Sequence, residues 1–153
     1  MKFPRITAEN LNKETIEVPN QLRGDPKLLI VAFQQWQQRL VNSWVPYLES
    51  LILKYPDFDF YELPTIRSMN FVYRRFIDGG MRAGIPSRET RGRTITLYID
   101  KESFKESLNI VTEETIYLFL TKQDGEIIWK GEGGFDDEKV PLLEKAIEDY
   151  MMR

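Results

Sequence analysis

An α/β fold, with a central mixed sheet flanked by helices, is what this chain predicts, and three observations carry it. Strand-like and helix-like segments alternate along most of the 153 residues. One run, Leu28 to Phe33 ("LLIVAF"), is apolar throughout, as a strand covered on both faces must be. A later strand pair is joined by "KQDG", whose Asp-Gly step is a strong hairpin signal. No internal repeat, low-complexity tract or linker interrupts the pattern, so one domain over residues 1–153 is expected.

Each element has its own warrant. Residues 3–18, "FPRITAENLNKETIEV", suit two short strands around a turn at Asn10 to Lys13, an N-terminal β-hairpin. Strand 28–33 follows the "RGDPK" turn. From Gln37 to Tyr55, Leu40, Trp44, Leu48, Leu51 and Tyr55 recur at three- and four-residue steps, the period of a helix, with Pro46 expected to kink it. "DFDFYEL", residues 57–63, suits a strand ended by Pro64, with Asp57 and Asp59 of "DFDF" facing solvent. A second helix is expected from Arg67 to about Gly79, closed by Gly79–Gly80. An inserted strand–helix pair follows, "TITLYID" then "KESFKESL". The hairpin 116–121/126–130 comes next, and a helix over 135–150 ends the order, with Leu143, Ala146, Ile147 and Tyr150 inward.

Composition excludes much chemistry. The chain has no cysteine, so disulfides, thiolate catalysis and cysteine–metal sites are out. It has no histidine, which removes the commonest general base and transition-metal ligand. No catalytic, cofactor or metal-ligating residue is assigned, and the cofactor expectation is none. The longest apolar run is six residues, far short of a membrane span. "MKFPRITAEN" has neither a signal-peptide core nor an Arg/Ser-rich transit pattern, which predicts a cytoplasmic protein, peripheral to a membrane if it works at one.

Charge is unevenly spread. Residues 67–99 carry seven arginines against Asp78 and Glu89, a local +5 in a chain whose net charge is −3. On a helical wheel Arg67, Arg74, Arg75 and Arg82 share a sector opposite Met69, Val72, Tyr73 and Phe76, and Arg88, Arg91 and Arg93 extend the group. Charge opposite a core face is ordinarily just solvated. Four arginines with one acid exceed what solubility needs, and arginine favours carboxylate and phosphate recognition. This face is the expected partner-binding surface, for an acidic protein surface or anionic lipid headgroups. Pairing with the acidic C-terminal helix of a second copy, giving a homo-oligomer, is the alternative.

Other motifs read blandly. "GEGGF", residues 131–135, lacks the lysine and spacing of a phosphate loop and suits the turn into the last helix, with Asp136 or Asp137 as N-cap. Trp36, Trp44 and Tyr47 could present a partner surface; Trp44 is expected in the core, and Trp129 is ambiguous. Gln37 and Gln38 could mark a ligand cleft at a helix N-terminus. A solvated first turn is the preferred reading there.

With those elements in order, the chain resembles the thioredoxin-like superfamily, in its peroxiredoxin-like and cytochrome-maturation-like subgroup. "FPRITAENLNKETIEVPNQLRGDPKLLIVAF" is similar to that group's opening and "IYLFLTKQDGEIIWKGEG" to its closing hairpin. The resemblance implies that Trp36 is the redox-motif tryptophan and that Gln37 and Leu40 stand where the two cysteines would be. A Gln amide does not ionise and Leu has no polar atom, so thiol–disulfide exchange is impossible. The family's cis-proline would fall near Ile116, where "TEETIYLF" has no proline. "AFQQWQQRLVNSWVPYLESL" and "YLFLTKQDGEIIWKGEG" resemble the mitochondrial ATP synthase assembly factor family, thioredoxin-like proteins without redox cysteines that assist subunit a. The resemblance implies a redox-inactive, protein-binding assembly factor or chaperone with an ATP synthase membrane subunit as partner, in a prokaryotic relative of the family.

Two other classes stay open at this stage. An enzyme of thioredoxin-like ancestry would have to use carboxylates, hydroxyls, lysine or arginine, and its sign would be a perturbed carboxylate in a pocket beside Gln37. Nucleic-acid binding is suggested by the arginines but opposed by the acidic total and by the lack of any recognised motif.

Overall fold

The computed structural model describes residues 1–67 and 92–152. In chain order these residues form β1 (Ile6–Asn10), β2 (Thr15–Val18), β3 (Lys27–Ala32), α1 (Gln38–Lys54), β4 (Asp59–Arg67), β5 (Ile95–Ile99), α2 (Lys101–Ser107), β6 (Tyr117–Thr121), β7 (Ile127–Glu132) and α3 (Val140–Met151). One seven-stranded sheet runs β2-β1-β5-β4-β3-β6-β7. The inserted strand and the C-terminal hairpin therefore share a sheet, as the thioredoxin-like order requires. β3, β4 and β5 are parallel, while β1, β2, β6 and β7 join antiparallel.

β3 is central because its sequence leaves it nowhere else to go. Leu28, Leu29, Ile30 and Val31 are all fully buried. Leu28 and Ile30 point into a core made with Trp44, Leu48 and Leu51 of α1 and Leu143 and Ile147 of α3. Leu29 and Val31 point the other way, into a core with Leu97, Phe104, Leu108 and Phe119. Burial of each such side chain contributes about 1.5–3 kcal/mol. Trp44 is buried as expected, its indole N–H donating to the Gly133 carbonyl at 3.0 Å, so its one polar group is satisfied.

The turns follow from local chemistry. Asn10 Oδ1 accepts from the amides of Asn12 (2.9 Å) and Glu14 (3.0 Å), closing the β1–β2 hairpin where the sequence expected it. Gly24 has φ +118°, and a Cβ there would meet Asp59 Cβ at 2.9 Å. In β7 a Cβ on Gly131 would strike the Trp129 ring at 2.4 Å, so the glycine is the slot in which the indole lies. The helix expected over 135–150 begins later: Asp136 caps a 3₁₀ turn, Asp137–Lys139, and α3 starts at Val140.

Two expectations are corrected along β4. The strand does not end at Pro64 but runs to Arg67, so Arg67 closes a strand instead of opening a helix. Proline is tolerated because the pairing changes there: β3 pairs with β4 up to Pro64, and β5 takes over at Thr65. Asp59 is not solvent-facing. It is buried, and its carboxylate pairs with Arg23 at 3.1 Å and with Arg93. The remainder of the expected second helix, and most of the loop after it, lie outside the described residues.

Lys27 is the exception in this interior. It opens β3 fully buried, and its Nζ has no hydrogen-bond partner among the described residues. Burial lowers its pKa, with Asp25 opposing the shift. A folded-state pKa below the unfolded one means that the charged form carries a cost. That cost is full below the folded pKa and fades as pH rises from there toward the ordinary lysine range. Lys27→Met should therefore raise stability at pH 7 by about 1–3 kcal/mol, with the advantage shrinking at alkaline pH. Denaturant unfolding across a pH series checks this; equal stability of the two proteins at pH 7 would mean that the ammonium is compensated.

Candidate functional site

The corner where β3 gives way to α1 holds Trp36, Gln37 and Leu40. β3 ends at Ala32, a 3₁₀ turn covers Gln35–Gln37, and α1 begins at Gln38. A chain leaving a buried strand exposes backbone donors that need acceptors. Gln37 supplies one. Its Oε1 accepts from the amides of Phe33 (2.8 Å) and Gln34 (3.2 Å), and its Nε2 donates to the Glu113 carbonyl at 2.6 Å. The residue is 0% exposed. The expected solvated turn holds for Gln38, which is exposed, and is overturned for Gln37, whose amide is an internal tie between the corner and the segment before β6.

Neighbouring side chains strengthen that tie. Gln34 Nε2 also donates to the Glu113 carbonyl, at 2.9 Å. The Glu113 carboxylate accepts from Lys101 and Lys105 of α2, both at 2.8 Å. Those two hydrogen bonds hold the Glu113 carboxyl below its usual pKa. Leu40 is half-buried against the α1/α3 core. The two cis prolyl bonds among the described residues are Val18–Pro19 and Asp25–Pro26, at the other turns and not before β6.

Trp36 faces outward. It is 45% exposed, its indole N–H donates to Gln34 Oε1 at 3.0 Å, and the Arg39 guanidinium lies 5.7 Å from the ring centroid. Val111, two residues before Glu113, is 93% exposed. The corner thus presents a tryptophan–arginine pair, residue types enriched at protein interfaces. Tyr47, by contrast, is tied to Glu144 of α3 at 2.8 Å.

A carboxylate that the sequence reading missed sits alongside. Glu62 of β4 is buried, and it accepts from Gln38 Nε2 at 2.9 Å. Burial raises its pKa, against the Gln38 hydrogen bond and the Arg93 charge. The cavity seen among the described residues does not include it; that cavity is lined by Ile128, Leu142, Lys145, Ala146, Asp149 and Tyr150. The signal that could have found Glu62 was its place in a central strand, where alternation offers no solvent face.

The arginines divide. Arg67 is exposed at the end of β4. Arg93 is committed internally: it donates to Asp59 and, at 3.0 Å, to the Phe60 carbonyl, with its guanidinium 4.5 Å from the Phe60 ring. Arg74, Arg75, Arg82, Arg88 and Arg91 lie outside the described residues. Among the described residues no group of three or more acids could hold a metal ion.

Residues 1–149 match the family model described as ATP10 protein. No curated protein sequence matches. Solved structures match over nearly the whole chain. A member of the Sco family of cytochrome c oxidase assembly proteins has TM-score 0.62 at 11% identity, covering 99% of this chain and 95% of its own. The thioredoxin domain of a thiol-disulfide oxidoreductase from Bacteroides vulgatus has TM-score 0.56 at 20% identity, covering 95% and 94%. A putative thiol:disulfide interchange protein from Chlorobium tepidum has TM-score 0.55 at 14% identity, covering 97% and 94%. At these identities the likeness establishes the thioredoxin-like fold.

Two outcomes follow from this geometry. Gln37→Ala strands the amide of Phe33 and opens a void, so it should cost about 2–4 kcal/mol, against about 0.5 kcal/mol for exposed Trp36→Ala. Equal losses in chemical denaturation would deny Gln37 its structural role. For Glu62 the folded pKa is raised, so the ionised form destabilises above that pKa and the penalty is relieved as pH falls through it. Glu62→Gln keeps the acceptor for Gln38 and should raise Tm near pH 7 by about 2–4 °C per kcal/mol relieved. The gain should vanish toward pH 4–5, as a thermal-melt pH series would read out.

Proposed function

The chain belongs to the ATP10 protein family, and we propose that it serves ATP synthase assembly by holding a membrane subunit as a redox-inactive binding factor. The observation that carries this reading is Gln37. At the position where a redox relative would place its nucleophile, the side chain is buried and both ends of its amide are hydrogen-bonded to backbone groups within the fold. A thioredoxin-like frame closed in this way keeps a binding surface and loses the chemistry. Trp36, Arg39 and Val111 form the surface that remains around it.

The client is subunit a of the membrane sector, and the protein works at the membrane face without crossing it. No helix among the described residues is long and apolar enough to span a bilayer. The arginine-rich segment from Arg67 through Arg74, Arg75, Arg82, Arg88 and Arg91 meets acidic protein surface or anionic headgroups near that client. A local excess of positive charge on an acidic chain orients approach and raises association rates at low salt. Among the described residues Glu62 favours an enzyme reading, and the hydrogen bond its carboxylate accepts comes from Gln38.

Deleting the gene in the native host should lower the amount of assembled ATP synthase, with wild-type protein restoring it. Arg74→Glu with Arg75→Glu should slow client association and flatten its dependence on salt. The purified protein should reduce no insulin disulfide in the presence of dithiothreitol above the rate of dithiothreitol alone. Unchanged ATP synthase levels in the deletion strain would reject the assembly role. Client binding by the double variant that matches wild type across the salt series would reduce the arginines to a solvated face.

A further inference from the structure

Trp36 and Arg39 form one preorganised recognition point, and we infer that it takes a polypeptide segment carrying a carboxylate next to an apolar side chain. Only the identity of the client rests on the binding-factor reading. Trp36 stands on the 3₁₀ turn ahead of α1, 45% exposed. An exposed side chain ordinarily has to be ordered by its partner, at a cost in binding free energy. Here the ring is held already. Its N–H donates to Gln34 Oε1 at 3.0 Å, and Gln34 Nε2 is itself fixed to the Glu113 carbonyl at 2.9 Å. With its one polar group satisfied within the fold, the indole offers a partner only apolar ring surface.

Arg39 supplies the charge. It is exposed in the first turn of α1, and its guanidinium lies over the Trp36 ring, 5.7 Å from the centroid. Stacking occupies one face of the guanidinium and leaves its in-plane N–H donors for an acceptor, the fork that suits a carboxylate. Among the described residues no carboxylate pairs with it. Its position sharpens the demand for one. A cation in the first helical turn adds to the positive end of the helix dipole, and α1 has no acid in that turn to offset it. An incoming carboxylate is therefore drawn by both, while its apolar neighbour covers the indole.

Glu114 decides between a peptide and a membrane. It is exposed, and its Oε1 lies 3.5 Å from Gln34 Nε2, the side chain that also holds Trp36. The recognition point thus has a negative flank beside its positive one. A bilayer of anionic headgroups would press phosphates against both flanks, and Glu114 opposes that. A single side-chain carboxylate meets Arg39 alone. Glu113 adds little to the negative flank, because Lys101 and Lys105 hold its carboxylate, both at 2.8 Å.

The probes are two acetylated, amidated peptides, Gly-Ser-Leu-Glu-Leu-Ser-Gly and its counterpart with Gln for Glu, titrated into the full chain. Binding is read from the NMR shift of the Trp36 indole N–H. The Glu peptide should bind about tenfold tighter than the Gln peptide. Arg39→Gln should erase that preference and leave the Gln peptide's affinity unchanged, whereas Trp36→Ala, read from backbone amides of the corner, should weaken both. The double-mutant cycle isolates the contact between Arg39 and the carboxylate. Equal binding of the two peptides to the wild type, or a loss on Arg39→Gln shared by both, would overturn the site. So would an indole shift produced by phosphatidylglycerol vesicles and not by the Glu peptide, which would make the corner a membrane face. A second arm uses overlapping dodecapeptides of the host's subunit a as competitors of the Glu peptide. Competition by those with an acid beside an apolar residue makes the corner the client's site. If none competes while the preference for Glu persists, the recognition point stands and the client assignment is what fails.

Discussion

Double-sided burial of β3 is the constraint from which the rest of the structure follows. Four consecutive side chains, Leu28 to Val31, are removed from water on both faces, so both faces must be covered. α1 and α3 cover one, and α2 with the N-terminal hairpin covers the other. Sheet order is then restricted: β4 and β6 flank β3, and the hairpins are displaced to the edges. The chain leaves β3 at Ala32 for the turn that opens α1. That exit is where Gln37 works, accepting the two amides that the end of the strand releases.

How far this could be read from sequence depends on the range of the interaction. β3, α1 and both hairpins were legible because their signals are local: an apolar run, a helical period, an Asn-centred turn and an Asp-Gly turn. β4 was misjudged at Pro64, because tolerance of a proline is set by which neighbour pairs there, a fact of register. Asp59 was placed in solvent because its partners, Arg23 and Arg93, lie 36 and 34 residues away. Gln37 was given to water for the same reason: its acceptor, the Glu113 carbonyl, is 76 residues distant. What sequence did convey about the site was negative and firm, that a chain without cysteine holds no thiol chemistry.

Electrostatics is arranged by depth. Asp59, buried at the start of β4, is held by two guanidiniums, one of them packed on Phe60. Glu113, nearer the surface, is held by two lysines from α2. The first links residues more than thirty positions apart and the second ties α2 to the segment that follows it, and both engage cations that net-charge counting would assign to the surface. Arg93 is the clearest case: a member of the arginine-rich segment by number, it belongs to the interior by contact. The asymmetry of the segment therefore overstates the charge offered to a partner by at least that one residue.

The corner around Trp36 is held by its own amides. A nucleophile needs an accessible, unencumbered atom whose pKa its surroundings can lower. Gln37 is the reverse: inaccessible, neutral and engaged at both ends of its amide. Placing a thiol at residue 37 would remove the acceptor for Phe33 and the donor to Glu113 before any chemistry began. Leu40 compounds this, because its side chain is packed into the α1/α3 core near the Gly134 turn. Structure and reactivity thus compete for the same positions, and here the fold's stability has taken both. What the corner can still offer is its outer surface, Trp36 stacked by Arg39, which costs the interior nothing to present.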